Sequence, residues 1–340
     1  MKDNFELRKK EHEAVRHNVG YYDFTHQLLN VTGSDSAKFL DRMFVNDIKG
    51  LKLSHALYTT MLNKEADIID DVIIFHLEED RYLISTLYID KMIKWFDEHK
   101  KEEENVNYED ITNRLTMYAV QGPKSRDLIN SLVDENIDDL AFFTVMDNTV
   151  GDLDIMIARA GFTGELGYEL YVPSEKKEEL ENKLIEKGKE FNLLNITSDV
   201  IITSLPAEKG YVLMSDLEGA NPLEVGYGWT VDWNTFFIGK NSLEKAKKKG
   251  ITRDLLGFVV EDSEAEIEPG DKVEFNSEEV GKVTKFTYSF SLGKNIGYAL
   301  VDTSRVKKTN TVKIKSAKEV YDAKLCQRIF YDLNNERVNA

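Results

Sequence analysis

Two adjacent aspartates lie inside an apolar segment, where residues of this type can handle a proton. The segment reads IIDDVIIF over residues 68–75, and aliphatic residues flank Asp70 and Asp71 on both sides. Its β-branched residues predict a strand, in which successive side chains point to opposite faces. One carboxylate should therefore face a covered surface, where desolvation raises its pKa and suits it to acid–base chemistry. The alternative is a pair that faces water or satisfies a nearby loop.

A second segment carries three glycines in one short turn between two predicted strands. It reads IARAGFTGELGYELYVP over residues 157–173, with glycines at 161, 164 and 167. Glycine relieves tight turns, so an ordinary hairpin is one explanation. The other is a backbone without Cβ atoms that lets a flat ligand approach, with Phe162 stacking on the ligand and Glu169 accepting its hydrogen bonds.

Several classes of protein are disfavoured by composition and motif context. The six histidines have no spacing typical of metal ligands, so the sequence predicts no metal site. The glycine turn lies between two strands rather than before a helix, which argues against a dinucleotide fingerprint. A formal charge of −17 repels a phosphate backbone, and we expect no nucleic-acid partner.

Targeting features favour the cytoplasm. No segment approaches the ~18 consecutive apolar residues of a membrane helix. The first residues, MKDNFELRKKEHEAVRH, lack the apolar core of a signal peptide. The single cysteine, Cys326, cannot form an internal disulfide. We therefore expect a cytoplasmic protein without membrane contact.

Strand and helix patterns alternate through the first three quarters of the chain. YYDFTHQLLNVTG predicts one strand, DSAKFLDRMFVNDI a helix, and DDVIIFHLEEDRYLIST a hairpin followed by the helix IDKMIKWFDEHKKEEE. A similar order returns in LTMYAVQGP, KSRDLINSLVDE, the glycine hairpin and SEKKEELENKLIEKGKEF. We predict two related α+β halves, about 1–110 and 111–248, with helices packed on mostly antiparallel sheets. NPLEVGYGW is typical of a strand entry fixed by Pro222.

The pattern changes after the lysine-rich segment KAKKKG. Residues 253–335 carry short alternating segments such as LLGFVV, DKVEF, GKVTKFTY and NIGYALV, separated by turn residues. This spacing predicts a separate small β-barrel or sandwich.

Taken in order, these segments resemble the glycine cleavage T-protein (aminomethyltransferase) family of folate-binding proteins. The resemblance covers residues 10–335 and is carried by VGYYDFTH, IIDDVIIF, VQGPKSRDLI, ARAGFTGELGYELYVP, AEKGY, NPLEVGYGW, FIGKNSL and GKVTKFTYSFSLGKNIGYALV. It implies an α+β fold in which three domains form a cloverleaf. Residues 1–248 would be the folate-binding region, and residues 253–335 the C-terminal β-barrel.

The resemblance also implies the cofactor and the residues of the site. Tetrahydrofolate would lie in the centre of the cloverleaf, and Asp71, the second aspartate of the pair, would be catalytic. The implied cofactor-binding residues are Tyr58, Ser85, Phe162, Glu169 and Tyr211. Glu169 would accept hydrogen bonds from the pterin, and Ser85 stands where the family has an asparagine.

The resemblance implies a tetrahydrofolate-dependent one-carbon transferase that moves a methylene or methyl group to the folate. Its partner would be a lipoyl carrier protein or a small-molecule one-carbon donor. Two arginines common before AEKGY in the family are missing, the second at Pro206. AEKGY is also the form found in relatives that demethylate amines or aryl ethers, so an O-, N- or S-demethylase is an alternative. A non-catalytic folate-binding protein of iron–sulfur maintenance and a scaffold without folate are the others.

Overall fold

The structure is a computed structural model, and it describes residues 2–340. The α-helices are α1 Lys2–His17, α2 Ser36–Met43, α3 Ile89–His99, α4 Ser125–Asn130, α5 Lys177–Gly188, α6 Leu205–Lys209, α7 Met214–Leu217 and α8 Lys240–Lys249. The strands up to the barrel are β1 Gly20–Asp23, β2 Gln27–Thr32, β3 His55–Leu62, β4 Ile68–Glu78, β5 Arg81–Thr86, β6 Asn107–Asp110, β7 Leu115–Gln121, β8 Val145–Val150, β9 Leu153–Ala158, β10 Gly167–Pro173 and β11 Leu194–Asn195. The barrel strands are β12 Arg253–Val260, β13 Lys272–Phe275, β14 Glu278–Ser289, β15 Lys294–Asp302, β16 Thr311–Lys315 and β17 Val320–Cys326.

The first sheet has the strand order β3-β4-β5-β2-β6, and its strands are antiparallel. Val72 and Ile74 of β4 alternate towards one face, where they join Phe39 of α2 and Phe96 of α3 in a buried core. The alternating residues Ile73 and Phe75 point to the other face. One face of this sheet is thus covered by helices and the other is turned towards the rest of the molecule.

The second sheet has the order β11-β1-β7-β10-β9-β8, and it takes its strand β1 from the N-terminal part of the chain. The prediction of one strand in YYDFTHQLLNVTG is therefore wrong. The chain leaves β1 after Asp23 and enters the first sheet as β2 at Gln27. Alternation alone cannot reveal this break, because both strands have similar composition and only a short turn separates them.

The free faces of the two sheets pack against each other. Leu28 and Phe75 from the first sheet share a core with Ala119 and Tyr171 from the second. The rings of Phe75 and Tyr171 lie 6.0 Å apart at an interplanar angle of 75°. Residues of β4 and β10 that point to these faces are consequently brought towards one another.

The C-terminal strands close into a barrel of order β12-β15-β14-β13-β16-β17. The barrel has its own core, which includes Phe258, Val273 and Val301. Together with the two helix-covered sheets, the closed barrel confirms the predicted fold class. Within residues 2–340, no helix is long and apolar enough to cross a membrane.

The predicted strand entry at NPLEVGYGW is wrong. Pro222 begins a tight turn in which the Tyr227 amide donates to the Pro222 carbonyl at 2.7 Å, and a 3₁₀ helix follows over Gly228–Thr230. Gly226 has φ +74°, a left-handed conformation that interrupts an extended chain and suits glycine.

Candidate functional site

Asp70 and Asp71 occupy opposite faces of β4, as strand alternation predicts. Asp70 lies on the helix-covered face, is 1% exposed, and accepts a hydrogen bond from Thr86 Oγ1 at 2.8 Å. Asp71 lies on the face towards the second sheet, stays partly exposed, and accepts a hydrogen bond from Tyr58 Oη at 2.9 Å. Of the two, only Asp71 is placed to meet a ligand between the sheets.

Strand register aligns Tyr58 and Ser85 with Asp71. Tyr58 of β3 and Ser85 of β5 both pair with Ile73, which shares a face with Asp71 two residues away. The Ser85 hydroxyl is hydrogen-bonded to His26 Nδ1 at 2.9 Å. Burial lowers the pKa of His26 to about 4, so this imidazole is neutral near pH 7. The structure thus brings three of the predicted site residues onto one face of the first sheet.

The carboxyl of Asp71 is poised for proton transfer. Burial raises its pKa to about 6, although the hydrogen bond from Tyr58 opposes the shift by stabilising the carboxylate. A carboxyl that titrates near neutral pH can hold or release a proton under physiological conditions. Desolvation and the neighbouring carboxylate also raise the pKa of the Tyr58 phenol well above its usual value, so that hydroxyl acts as a hydrogen-bond donor.

The three glycines of the hairpin make room for side chains of the protein rather than for a ligand, Gly161 and Gly167 for Gln121 and Gly164 for Lys209. A Cβ atom on Gly161 or Gly167 would lie 2.0 or 2.1 Å from the Gln121 side-chain oxygen. Gln121 donates from Nε2 to the carbonyls of Ala160 and Tyr168, at 3.1 and 3.2 Å. The interpretation of a glycine surface open to a flat ligand is therefore wrong. The amide of Gln121 instead fixes the hairpin from which Phe162 and Glu169 project.

Glu169 is a buried carboxylate with one oxygen available. It is 5% exposed on β10, and its Oε2 accepts a hydrogen bond from Tyr171 Oη at 2.8 Å. In the part of the chain that the structure describes, no donor reaches Oε1. Burial raises the pKa of Glu169 to about 7, and the Tyr171 hydroxyl opposes that shift. Such a group can accept hydrogen bonds from N–H donors of a ligand.

Phe162 and Tyr211 form a stacked aromatic pair. Their ring centroids are 5.5 Å apart and the planes differ by 16°. Phe162 comes from the glycine hairpin, whereas Tyr211 follows α6 and is held by a hydrogen bond from its amide to the Pro206 carbonyl at 2.9 Å. Both rings remain partly exposed, and they offer an apolar surface to a planar ligand.

Two further residues connect these clusters, and sequence reasoning did not single them out. Tyr227 places its ring 5.2 Å from that of Tyr58, at an interplanar angle of 72°. The guanidinium of Arg328 lies 5.5 Å from the centre of the Tyr227 ring and donates to the carbonyls of Gly210 and Val225. The only signal in the sequence was the aromatic content of NPLEVGYGW. Arg328 lies in the C-terminal segment, where no motif or pattern in the sequence pointed to it.

Comparison with known proteins identifies the family. The model of the GCVT N-terminal domain matches residues 2–235, and the model of the glycine cleavage T-protein C-terminal barrel domain matches residues 253–332. The aminomethyltransferase of Thermoanaerobacter sp. (strain X514) is 31% identical over 340 residues, which cover 98% of this chain and 92% of that protein. The aminomethyltransferase of Bacillus subtilis (strain 168) is 33% identical over 338 residues, covering 96% and 91%.

A solved structure shares the fold. The glycine cleavage system aminomethyltransferase T from Bartonella henselae superposes with a TM-score of 0.86 over 95% of this chain and 89% of that chain, at 21% identity. The chain therefore belongs to the glycine cleavage T-protein family, as its ordered motifs predicted. The prediction of a transferase is confirmed as well, because the curated relatives matched over nearly their whole length are aminomethyltransferases.

Proposed function

We propose that the protein is a tetrahydrofolate-dependent aminomethyltransferase that moves a one-carbon unit to the folate beside Asp71. Family membership gives it tetrahydrofolate as cofactor and aminomethyl transfer as reaction. The observation that carries the proposal for the site is the partly exposed carboxyl of Asp71, held by Tyr58 between two packed sheets. The demethylase and the non-catalytic binding protein are not favoured, since the relatives carry the name aminomethyltransferase along nearly the whole chain.

The residues present fit the folate. The free oxygen Oε1 of the buried Glu169 suits the adjacent N–H donors of a pterin ring, because a carboxylate makes charge-assisted hydrogen bonds to such donors. The rings of Phe162 and Tyr211 suit the planar parts of the cofactor. The proposed binding set also includes Tyr58 and Ser85.

Bound tetrahydrofolate supplies the amine nitrogens that accept the carbon. Asp71 is the proposed catalytic residue, which orients the reacting amine and holds or releases a proton at its carboxyl. Tyr58 donates to Oδ2 and so fixes the carboxylate in one orientation. Packing between the sheets partly desolvates this carboxyl, which strengthens its interactions with neighbouring groups.

The proposed donor is an aminomethyl group on a lipoyl carrier protein. Its carbon would pass to the folate as the bonds to the lipoyl sulfur and to the amine nitrogen break, and the two protons lost from the folate amines would leave on the thiol and on ammonia. A small one-carbon donor is the alternative. The resemblance to the T-protein supports the carrier, since that activity requires one. The proposed location is the cytoplasm, which fits the unpaired thiol of Cys326.

The test is a turnover assay on the purified full chain. Tetrahydrofolate is combined either with an aminomethyl-loaded lipoyl carrier protein or with a panel of methylated amines, ethers and sulfonium compounds, and folate products are followed by mass. Methylene-folate formed only with the carrier supports the proposal. Product formed from a small donor without the carrier would establish the demethylase, and folate binding without any product would establish the binding protein.

A further inference from the structure

Strand β14 contains a β-bulge beside the proposed site. Val283 pairs with Ala299 and Lys285 pairs with Tyr298, so Thr284 is an extra residue without a partner in β15. Val283 lies in the barrel core, and the Phe286 ring stacks at 6.2 Å on Phe258 of the same core. The bulge shifts the alternation by one residue, so that Thr284 and Lys285 both leave on the outer side of the barrel.

Both outward residues meet one carboxylate, that of Asp216 in helix α7. Thr284 Oγ1 donates to Asp216 Oδ1 at 2.9 Å, and Lys285 Nζ lies 2.8 Å from Asp216 Oδ2. The Leu213 amide also donates to Oδ2 at 2.9 Å, which anchors Asp216 at the start of its helix. Consecutive residues of a regular strand could not reach the same carboxylate, since they point to opposite faces. The bulge therefore builds this ion pair.

The ion pair is buried, and it leaves part of the ammonium unused. Lys285 is 8% and Asp216 1% exposed. Among the described residues, no acceptor makes a well-directed hydrogen bond to Lys285 Nζ. The ammonium also lies 5.0 Å from the centre of the Tyr298 ring. The free energy needed to remove two charges from water is about as large as the free energy gained from their attraction, so a buried ion pair adds little to the stability of the fold. Its position beside the site points to a role in the reaction.

Helix α7, which carries Asp216, packs against both β4 and β14. The Ile68 amide at the start of β4 also donates to the Ala220 carbonyl, just after that helix, at 2.9 Å. The pair therefore lies close enough to Asp71 to act on its charge. The carboxylate of Asp216 raises the pKa of Asp71, and the ammonium of Lys285 lowers it. The ionisable groups that face this carboxyl come from four elements of the fold. They are Tyr58 from β3, Tyr227 from the turn after α7, Asp216 from α7 and Lys285 from β14. Asp70, the neighbour of Asp71 in β4, lies on the opposite face of the sheet and acts on the Asp71 carboxyl only through its charge. Arg328 faces Tyr227 and Lys285 from the C-terminal segment.

We propose that Lys285 is a positioning residue for the transfer reaction, whose ammonium, oriented by Asp216, keeps the carboxylate of Asp71 ionised. This inference rests on the proposed function of Asp71. Without the ammonium, Asp71 and Asp216 would form two neighbouring carboxylates in a buried site, and such pairs retain a proton to higher pH. Lys285 offsets the negative charge of Asp216, so that the carboxyl of Asp71 can lose its proton and take part in the transfer.

The experiment is the pH profile of the single-turnover rate of transfer at saturating tetrahydrofolate, measured with the full chain. Saturation removes the effect of Glu169 on folate affinity, so the acid limb of this profile reports the ionisation of Asp71. In Lys285→Met the limb should move to higher pH by about one unit, and activity should recover towards the parent value above that limb. Lys285→Arg, which keeps the charge, should keep the parent limb, and Asp216→Asn should move it to lower pH. Lys282→Met, an exposed lysine of the same strand, is the matched control.

Opposite shifts in Lys285→Met and Asp216→Asn support the inference, because a merely structural pair would lower activity without moving the limb. An acid limb that stays at the parent pH in both variants overturns it, as does a loss in Lys285→Met that higher pH does not restore. If Lys285→Met does not fold, the acid limb of Asp216→Asn tests the inference alone. A shift to lower pH supports the inference, and no shift or a shift to higher pH overturns it.

A second readout needs no turnover. Infrared difference spectra between low and high pH show the protonated carboxyl of Asp71 as a band that is lost in Asp71→Asn. The pH at which this band has lost half of its intensity should rise in Lys285→Met and fall in Asp216→Asn. Unchanged midpoint pH values in both variants would refute the inference. If the parent protein transfers no carbon to tetrahydrofolate, the proposed function fails, whereas the midpoints still test the electrostatic effect of Lys285 on Asp71.

Discussion

Asp70 and Asp71 are neighbours in β4, but their carboxylates lie on opposite faces of the first sheet and meet different partners. Asp70 is held by Thr86 under the helices, at 2.8 Å. Asp71 is held by Tyr58 between the two sheets, at 2.9 Å. Burial raises the pKa of Asp70 to about 7 and that of Asp71 to about 6. The two carboxyls should therefore differ in what they do, and substitutions can separate them.

Asp71→Asn should retain the fold and much of the folate affinity but lower the transfer rate about 100-fold or more, as expected for the loss of a positioned acid–base group. Single-turnover transfer to tetrahydrofolate with an identified donor measures the rate. Asp70→Asn is the matched comparison and should keep most of the parent transfer rate. If Asp70→Asn abolishes transfer and Asp71→Asn does not, the roles of the two carboxyls are reversed.

Asp70→Asn should change how stability depends on pH. The folded pKa of Asp70, about 7, lies above its unfolded value of 3.8, so its contribution to the free energy of unfolding is complete below pH 3.8 and is lost as the pH rises to 7. The slope is at most about 1.4 kcal/mol per pH unit. Urea unfolding at several pH values measures this. The free energy of unfolding of Asp70→Asn should rise relative to that of the parent protein as the pH increases from 4 to 7. A constant difference would mean that Asp70 ionises normally in the folded state.

Folate affinity should depend on the ionisation of Glu169. Its pKa of about 7 predicts that binding strengthens as the pH rises through 7, because the carboxylate is the better acceptor. Glu169→Ala should weaken binding by about 1.5–3 kcal/mol and remove this dependence. Calorimetric titration with tetrahydrofolate from pH 6 to 8.5 measures both effects. Glu178→Ala, on the surface of α5, is the control, and equal affinities for both variants would exclude Glu169 from the binding site.

The stacked pair of Phe162 and Tyr211 should contribute to folate binding through its rings. Tyr211→Ala should raise the Kd about tenfold, which corresponds to about 1.4 kcal/mol, whereas Tyr211→Phe should bind like the parent protein. Phe162→Ala should resemble Tyr211→Ala. Tight binding by both alanine variants would show that the stack lies outside the folate site.

The proposed boundary between residues 1–248 and 253–335 can be tested by limited proteolysis. The first cuts should fall at residues 245–253, or in the loop from Glu261 to Pro269, since both segments are largely exposed and polar. Mass spectrometry of the early fragments locates the cuts. Early cleavage within residues 150–230 would mean that the boundary is misplaced.

Local patterns in the sequence were enough to place many elements. The alternation in IIDDVIIF separated Asp70 from Asp71, and the short segments after residue 253 indicated a C-terminal β-domain. Such patterns fail where the chain changes sheet. The segment YYDFTHQLLNVTG divides between two sheets, because its pairing partners, β7 for β1 and β5 for β2, lie far along the chain.

The sequence by itself determined the family, the fold class and the faces of β4, because these follow from ordered motifs and from side-chain periods that act over a few residues. Only the tertiary structure decided which groups surround Asp71. Tyr227 reaches Tyr58 through a turn, Lys285 reaches Asp216 through a bulge, and Gln121 fills the space beside two of the three hairpin glycines. Each of these contacts joins segments distant in the chain, and its geometry depends on strand register and packing that no local pattern encodes.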